Sequence, residues 1–149
     1  MVGRALRALS GVALLVVALG AWTWHPVHAA RVELVANGRD VTAVVRVYHD
    51  DFPPGLNRDA VAAYLSRSIT LTDQQGVRVT LLPSAIVTEG DRVRITLDGT
   101  ASGRVGQGRL SVTLLQERFS DQVNVALVRI DGRRAQLVYL KGDPAQALP

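Results

Sequence analysis

The chain contains no cysteine, which excludes disulfide bonds, thiol catalysis and thiolate metal sites. Its stability must therefore come from a hydrophobic core, and 149 residues are enough to form one. Lysine is almost absent too, since Lys141 is the only one. Aromatic residues make up 5% of the chain, and they are not interleaved with basic residues as in proteins that stack nucleic-acid bases. The composition therefore predicts no nucleic-acid binding.

Motifs of enzymes are also missing. The sequence has no Gly-x-Ser-x-Gly nucleophile elbow and no His-Glu-x-x-His zinc motif. A glycine-rich stretch, Gly103–Gly108, lies between two predicted strands rather than before a helix, so it lacks the helix N-terminus that would bind phosphate. We expect a protein that is not an enzyme and uses no cofactor.

The first thirty residues have the layout of a secretory signal peptide. Arg4 and Arg7 precede an uncharged apolar run over residues 11–21, and small residues follow. The run is shorter than the roughly 20 residues that cross a bilayer as a helix. We expect export to the periplasm or cell envelope, with a signal peptide over residues 1–29, one domain over 30–142 and a flexible tail over 143–149.

Two cleavage sites remain open. One site follows Ala29, and cleavage there removes residues 1–29. The other follows Ala21 and retains His25 and His28 in the mature protein. A third alternative is no cleavage, with the segment acting as a membrane anchor whose tryptophans lie at the interface.

The isoelectric point of about 10.3 overstates the charge of the exported domain. Arg4 and Arg7 leave with the signal peptide, so that fifteen of the seventeen basic residues remain against thirteen acidic ones. The mature domain is therefore close to neutral.

Apolar and polar residues alternate along most of the chain, which is typical of half-buried strands. Asn37-Gly38 is a hairpin turn pair between the first two strands. The predicted strands cover residues 31–36, 41–48, 69–72, 77–81, 85–88, 92–97, 110–115, 122–130 and 134–140. Strands this short, without alternating helices, predict an immunoglobulin-like antiparallel β-sandwich, with a closed barrel as the alternative. The predicted core comprises Val41, Ala43, Val45, Val47, Val93, Ile95, Leu97, Leu110, Val112 and Leu114.

One segment has helical rather than strand periodicity. Residues 57–67 place Val61, Tyr64 and Leu65 on one stripe, and Asn57 is a suitable N-cap. The sequence therefore predicts one short helix, inserted after the second strand and lying across one edge or end of the sandwich.

Four segments together resemble a known family: His25-Pro-Val-His28, Val45-Arg-Val-Tyr-His-Asp-Asp-Phe52, Tyr64-Leu65 and Phe119-Ser-Asp-Gln-Val-Asn-Val125. Their order is similar to an uncharacterised family of exported bacterial proteins, catalogued as domain of unknown function 6702. The resemblance spans His25 to about Gly142. Members of that family follow His-Pro-x-His with Ser or Thr, where this chain has Ala29. The resemblance implies export and a compact single domain, and it implies no particular activity.

Histidines near the mature N-terminus suggest a metal site. His25 and His28 are three residues apart, and neutral imidazoles are common ligands of copper, zinc and nickel. Two histidines do not complete a tetrahedral site, so His49 or Asp50 would have to join them. The alternative interpretation is that both histidines leave with the signal peptide or belong to an ordered N-terminal arm.

Three further polar residues stand at strand ends. Asp51 follows Asp50 before a Pro-Pro-Gly turn, where a carboxylate either binds a hard cation or accepts backbone N–H groups. Asp121 precedes a strand and suits an Asx turn. Asn124, on a valine-rich strand, is either outward and solvated or buried and hydrogen-bonded. We favour structural roles for all three.

Arginines form the last candidate surface. Arg92 and Arg94 occupy polar positions of one strand, and Arg78 and Arg109 occupy those of two others. A shared positive face would suit lipid headgroups, cell-wall polymer or an acidic partner, although any soluble sandwich displays charged residues outward. We expect a non-catalytic accessory or binding module of the cell envelope whose partner is an envelope protein or polymer. The alternative is a periplasmic metal-handling protein that uses the N-terminal histidines.

Overall fold

The protein is represented by a computed structural model that describes residues 27–52, 54–55 and 57–149. The predictions for the apolar leader, for cleavage after Ala21 and for His25 fall outside the described residues. The strands of the described part are β1 (Ala29–Asn37), β2 (Asp40–Tyr48), β3 (Ile69–Thr72), β4 (Arg78–Val79), β5 (Leu82–Glu89), β6 (Arg92–Thr100), β7 (Arg109–Val112), β8 (Val123–Ile130), β9 (Arg133–Tyr139) and β10 (Gln146–Ala147). Helix α1 (Arg58–Ser68) lies between β2 and β3. In this part of the chain no helix has the length and apolar character needed to cross a membrane.

The strands form two sheets. The larger has the order β5-β6-β2-β1-β8-β9, and the smaller has the order β10-β7-β3-β4. The fold is mainly β and sandwich-like, as the alternation predicts. All the predicted core residues, from Val41 to Leu114, are buried, because the strand period of two places every second side chain on the inner face.

One pairing differs from the predicted antiparallel arrangement. β1 pairs with β2 antiparallel, but on its other side it pairs with β8 in parallel, from Ala29 opposite Val123 to Ala36 opposite Ile130. Parallel neighbours need a long crossover connection. The chain supplies one, because between β1 and β8 it passes through the four-stranded sheet.

The C-terminal residues also differ from the expected flexible tail. β10 pairs with β7, and the N–H of Leu148 donates to the carbonyl of Gly108 over 2.9 Å. The Leu148 side chain is buried, and the Arg109 guanidinium donates to the carbonyl of Ala145 over 2.6 Å. Burial of the apolar Leu148 side chain in the core explains why this segment is ordered.

Helix α1 begins as its sequence indicates. The Asn57 side chain accepts the N–H of Ala60 over 2.9 Å, which caps the N-terminus. Val61 and Leu65 are buried, and the partly buried Tyr64 packs against the core. The Tyr64 hydroxyl accepts the N–H of Leu115 over 2.8 Å, and burial raises the pKa of this hydroxyl above its ordinary value.

Polar side chains join the two sheets at strand β7. Tyr139, on β9 of the larger sheet, is buried and donates its hydroxyl hydrogen to the carbonyl of Leu110 over 2.7 Å. Its cross-strand partner on β8 is Asn124, whose amide reaches two further carbonyls near β7. This group, Asn124 and Tyr139 with the carbonyls they bind, is called the inter-sheet seam below. Buried carbonyls without donors are costly, so the seam fixes where one sheet lies on the other.

The seam predicts a loss of stability at alkaline pH. Desolvation by burial raises the pKa of the Tyr139 hydroxyl to about 12, above the ordinary value of 10.0 for tyrosine. Because folding raises this pKa, the hydroxyl of the unfolded chain loses its proton at a lower pH than that of the folded protein. The contribution to the free energy of unfolding is therefore fully present below about pH 10 and is lost as the pH rises towards 12. Tyr139→Phe should lose about 1 kcal/mol at pH 7 through the missing hydrogen bond, and should show a smaller further loss between pH 10 and 12.

Urea unfolding followed by circular dichroism at several pH values measures both effects. Tyr48→Phe, at an exposed tyrosine, is the matched control and should follow the wild-type pH profile. An unchanged alkaline profile in Tyr139→Phe would contradict the assignment.

Candidate functional site

His28 lies against the loop that precedes β8. Its ring stacks on Phe119 with the centroids 3.7 Å apart and the planes 6° from parallel. Nδ1 is 2.9 Å from a carboxylate oxygen of Asp121, and Nε2 is 3.9 Å from one of Asp51. The structure thus brings together three residues that the sequence analysis singled out separately, with the imidazole between the two carboxylates.

This cluster does not reproduce the ligand set proposed from the sequence. Because the two ring nitrogens of His28 point in different directions, the two carboxylates do not converge on one coordination position. His49 lies 3.4 Å from Asp50 through Nδ1, and both side chains are largely exposed. Among the described residues no group of three or more His, Cys, Asp or Glu side chains is placed to hold a metal.

Asn124 is fully buried, which decides between the two alternatives for this residue. Its Nδ2 donates to the carbonyls of Val112 and Leu114 over 3.2 and 3.1 Å. Its Oδ1 accepts a hydrogen bond from Nε2 of Gln122 over 3.0 Å. Asn124 therefore belongs to the inter-sheet seam and has a structural role.

Arg92 and Arg94 lie on the outer face of the six-stranded sheet. Nε of Arg94 is 2.6 Å from a carboxylate oxygen of Glu89. The Arg92 guanidinium lies over the Tyr48 ring, 4.9 Å from its centroid, and donates to the Tyr48 hydroxyl over 3.2 Å. Arg78 and Arg109 lie on β4 and β7 of the other sheet, so they do not extend this face.

Two arginines that the sequence analysis did not single out do extend it. Arg46 on β2 lies opposite Arg94 on β6, and Arg31 on β1 lies opposite Arg46. Directly opposed residues of antiparallel strands have Cα atoms about 5 Å apart. The three residues, with Arg92 two positions along β6, are called the arginine row below.

Like charges in direct opposition destabilise a sheet, and carboxylates offset part of that repulsion here. One oxygen of Glu33 lies 3.0 Å from Nε of Arg31 and 2.7 Å from an Nη of Arg46. Glu89 pairs with Arg94, and Asp91 lies 4.0 Å from Nε of Arg92. Three carboxylates thus face four guanidinium groups, so the row retains an excess of positive charge. A guanidinium held along one edge keeps its remaining N–H groups for an external carboxylate or phosphate.

A shallow open groove of about 330 Å³ runs beside the row. Arg31, Arg46 and Arg92 contribute its charged lining, while Val125 and Leu127 on β8 contribute apolar surface. Tyr48, also in the lining, is 37% exposed. Arginine and tyrosine around a small apolar patch are the residue types enriched at protein interaction surfaces.

The same face carries a carboxylate at its other end. Asp98 lies four residues along β6 from Arg94, which corresponds to roughly 13 Å along a strand. Hydrogen bonds from Ser84 and Thr42 lower the pKa of Asp98, so it remains a carboxylate below its ordinary titration range. This end of the face carries both signs of charge, because Arg129 and Arg134 lie on the same cross-strand line as Asp98.

Sequence reasoning missed Arg31, Arg46 and Tyr48 as site residues because each is an ordinary outward position in its own strand. Their alignment follows from the pairing and register of β1, β2 and β6. The sequence pattern of a single strand does not contain this information. It also missed Asp73, which is buried and accepts the N–H groups of Gln75, Val77 and Gly103 over 2.8–2.9 Å. This carboxylate organises two loops and has a structural role.

Comparison with known proteins gives no assignment, since no family model and no curated protein matches the chain.

Asn124→Asp tests the inter-sheet seam. The exchange keeps the shape of the side chain but replaces the two donors with an oxygen that faces two carbonyl oxygens. We expect a loss of about 2–4 kcal/mol in the free energy of unfolding at pH 7, the range for a buried polar group that loses its partners. Chemical denaturation measures the loss.

Gln136→Glu makes the same chemical change at an exposed position of the neighbouring strand. It should alter the free energy of unfolding by about 0.5 kcal/mol or less. Equal effects of the two substitutions would contradict the role of Asn124.

Proposed function

We propose that the protein is an exported, non-catalytic binding module of the bacterial cell envelope, and that it holds an anionic envelope protein or polymer on the arginine row. The observation that carries this proposal is the alignment of Arg31, Arg46 and Arg94 across three neighbouring strands. Folding alone gives no reason to place three like charges in opposition. An external anion would relieve this repulsion, which is the physical basis of the proposal.

Export is part of the same proposal. It is supported by the positive start, the short apolar run and the small residues within positions 1–29. The absence of cysteine is compatible with export, because the domain needs no disulfide when its core is complete. The similarity to the family of domain of unknown function 6702 gives further support through the sequence segments named above.

We further infer an immunoglobulin-like sandwich with α1 closing one end. Its support is the combination of two facing sheets with a first strand that joins a late strand in parallel. Such domains serve many functions. The proposed activity therefore rests on the arginine row and not on the fold.

The ligand should carry several negative charges along an extended chain. The arginine row presents guanidinium groups on three strands, so that one carboxylate or phosphate would engage only part of it. Arg129 and Arg134 form another opposed pair on the same face. Among the described residues neither has an ion pair with a carboxylate.

Removal of two arginines of the groove tests the proposal. Arg46→Gln/Arg92→Gln should weaken binding of fluorescent polyglutamate or polyphosphate at least about tenfold, because charge-assisted hydrogen bonds contribute about 1.5–3 kcal/mol each. Raising the salt concentration should weaken binding by the wild type, since screening shortens the range of the attraction. Fluorescence anisotropy measures both, and the two probes distinguish carboxylate from phosphate recognition.

Arg67→Gln/Arg78→Gln is the matched control, because it removes the same charge from exposed positions on α1 and the smaller sheet. It should change the dissociation constant less than about threefold. The proposal fails if the two double variants lose equal affinity, or if the wild type binds neither probe.

A second candidate function is metal handling, and one contact favours it. Asp121 engages Nδ1 of His28, so that Nε2 faces Asp51 at 3.9 Å. Histidines that bind a metal through one ring nitrogen often donate the N–H of the other to a carboxylate, which fixes the orientation of the ring. The remaining ligands would have to include His25, which lies outside the described residues.

Calorimetric titration of the mature protein with Cu(II) and Zn(II) tests the metal hypothesis. Micromolar or tighter binding that disappears in His25→Ala/His28→Ala would establish it. His49→Ala is the control, and it should bind as the wild type does because that side chain lies outside the cluster. Absence of binding, or equal binding by all three proteins, would exclude a site built on His25 and His28.

A further inference from the structure

The two candidate cleavage sites differ in whether His28 belongs to the mature protein. Cleavage after Ala29 removes it, and cleavage after Ala21 retains it. The environment of His28 in the folded domain therefore bears directly on where the chain is processed.

His28 is integrated into the domain through three kinds of contact. Its ring stacks on Phe119, and its nitrogens face the carboxylates of Asp121 and Asp51. Its carbonyl accepts the N–H of Val123 over 2.8 Å, which continues the parallel pairing of β1 with β8 by one residue. The side chain is 27% exposed. A residue bound on its ring, its nitrogens and its backbone behaves as part of the fold.

Cleavage after Ala29 would disturb this end of the sheet. It would remove the first residue of β1, leave the N–H of Val123 without its carbonyl and uncover the face of Phe119. It would therefore remove the contacts that hold the start of β1 against β8.

We propose that signal peptidase cleaves after Ala21, so that the mature protein begins at Trp22 and keeps His28 in its cluster. This inference rests on the proposed export. It assigns His28 to the mature domain as a positioning residue that fixes the start of β1 against β8. It also assigns His25 to the exported protein.

The mass of the exported protein tests the inference. The full chain, expressed with its own leader in a bacterium that exports proteins, should appear in the envelope fraction with the mass of residues 22–149. The mass of residues 30–149 would overturn the inference while leaving export intact. An uncleaved chain in the envelope would overturn it as well. Accumulation of the intact chain in the cytoplasm would instead contradict the proposed export.

Variants of the two sites give a matched comparison. A bulky charged residue immediately before the cleaved bond prevents cleavage, because this position accepts small residues. Ala21→Arg should therefore block formation of the 22–149 species, whereas Ala29→Arg should leave its mass changed only by the substitution. The reverse pattern would overturn the inference.

Thermal unfolding separates retention of His28 from its structural role. The protein comprising residues 22–149 should unfold about 5 °C or more above the same protein carrying His28→Ala, as expected for the loss of a stacked and hydrogen-bonded side chain in a domain of this size. His49→Ala is the control and should leave the midpoint within about 2 °C. Equal midpoints for all three proteins would contradict the assigned role of His28.

Discussion

The arrangement of the two sheets depends on how the carbonyl groups at β7 obtain hydrogen-bond donors. Asn124 and Tyr139 are neighbours on β8 and β9 and supply those donors from the larger sheet. Apolar packing would tolerate some sliding of one sheet over the other, because dispersion contacts have little direction. Buried hydrogen bonds do not tolerate it, since a small displacement leaves a carbonyl unsatisfied. The seam therefore fixes the inner faces and, with them, which face of each strand is turned to solvent.

Fixing the inner faces also determines which side chains lie on the outer face of the larger sheet, and this outer face bears on function. In the observed register of β1, β2 and β6, Arg31, Arg46 and Arg94 lie side by side on the outer face. Glu33 and Glu89 offset part of their repulsion, and the excess positive charge is available to an external anion. Strain or repulsion held by a rigid scaffold is typical of sites that bind something. The adjoining groove, with its tyrosine and its apolar floor, gives such a ligand more than charge to recognise.

The sequence was informative wherever the signal was local. The period of two along residues 41–47 and 93–97 identified buried positions correctly, because burial in a strand follows directly from alternation. Asn57 likewise marked the start of α1 through its own capping bond. The parallel partner of β1, the docking of Leu148 and the burial of Asn124 were not predictable in the same way. Each depends on which distant strand becomes a neighbour, and alternation carries no information about that. The sequence singled out Arg92 and Arg94, but it missed Arg31 and Arg46 for the same reason.

The central claim is that the arginine row is where the protein binds its ligand. The most direct measurement is an NMR titration of the ¹⁵N-labelled mature protein with polyglutamate and polyphosphate, which observes backbone amides and arginine Nε–H groups together. The account predicts that the largest shifts occur at Arg31, Arg46, Arg92 and Arg94 and at the amides of β1, β2 and β6 around them. Shifts concentrated on the four-stranded sheet, or spread evenly over all exposed arginines, would contradict it.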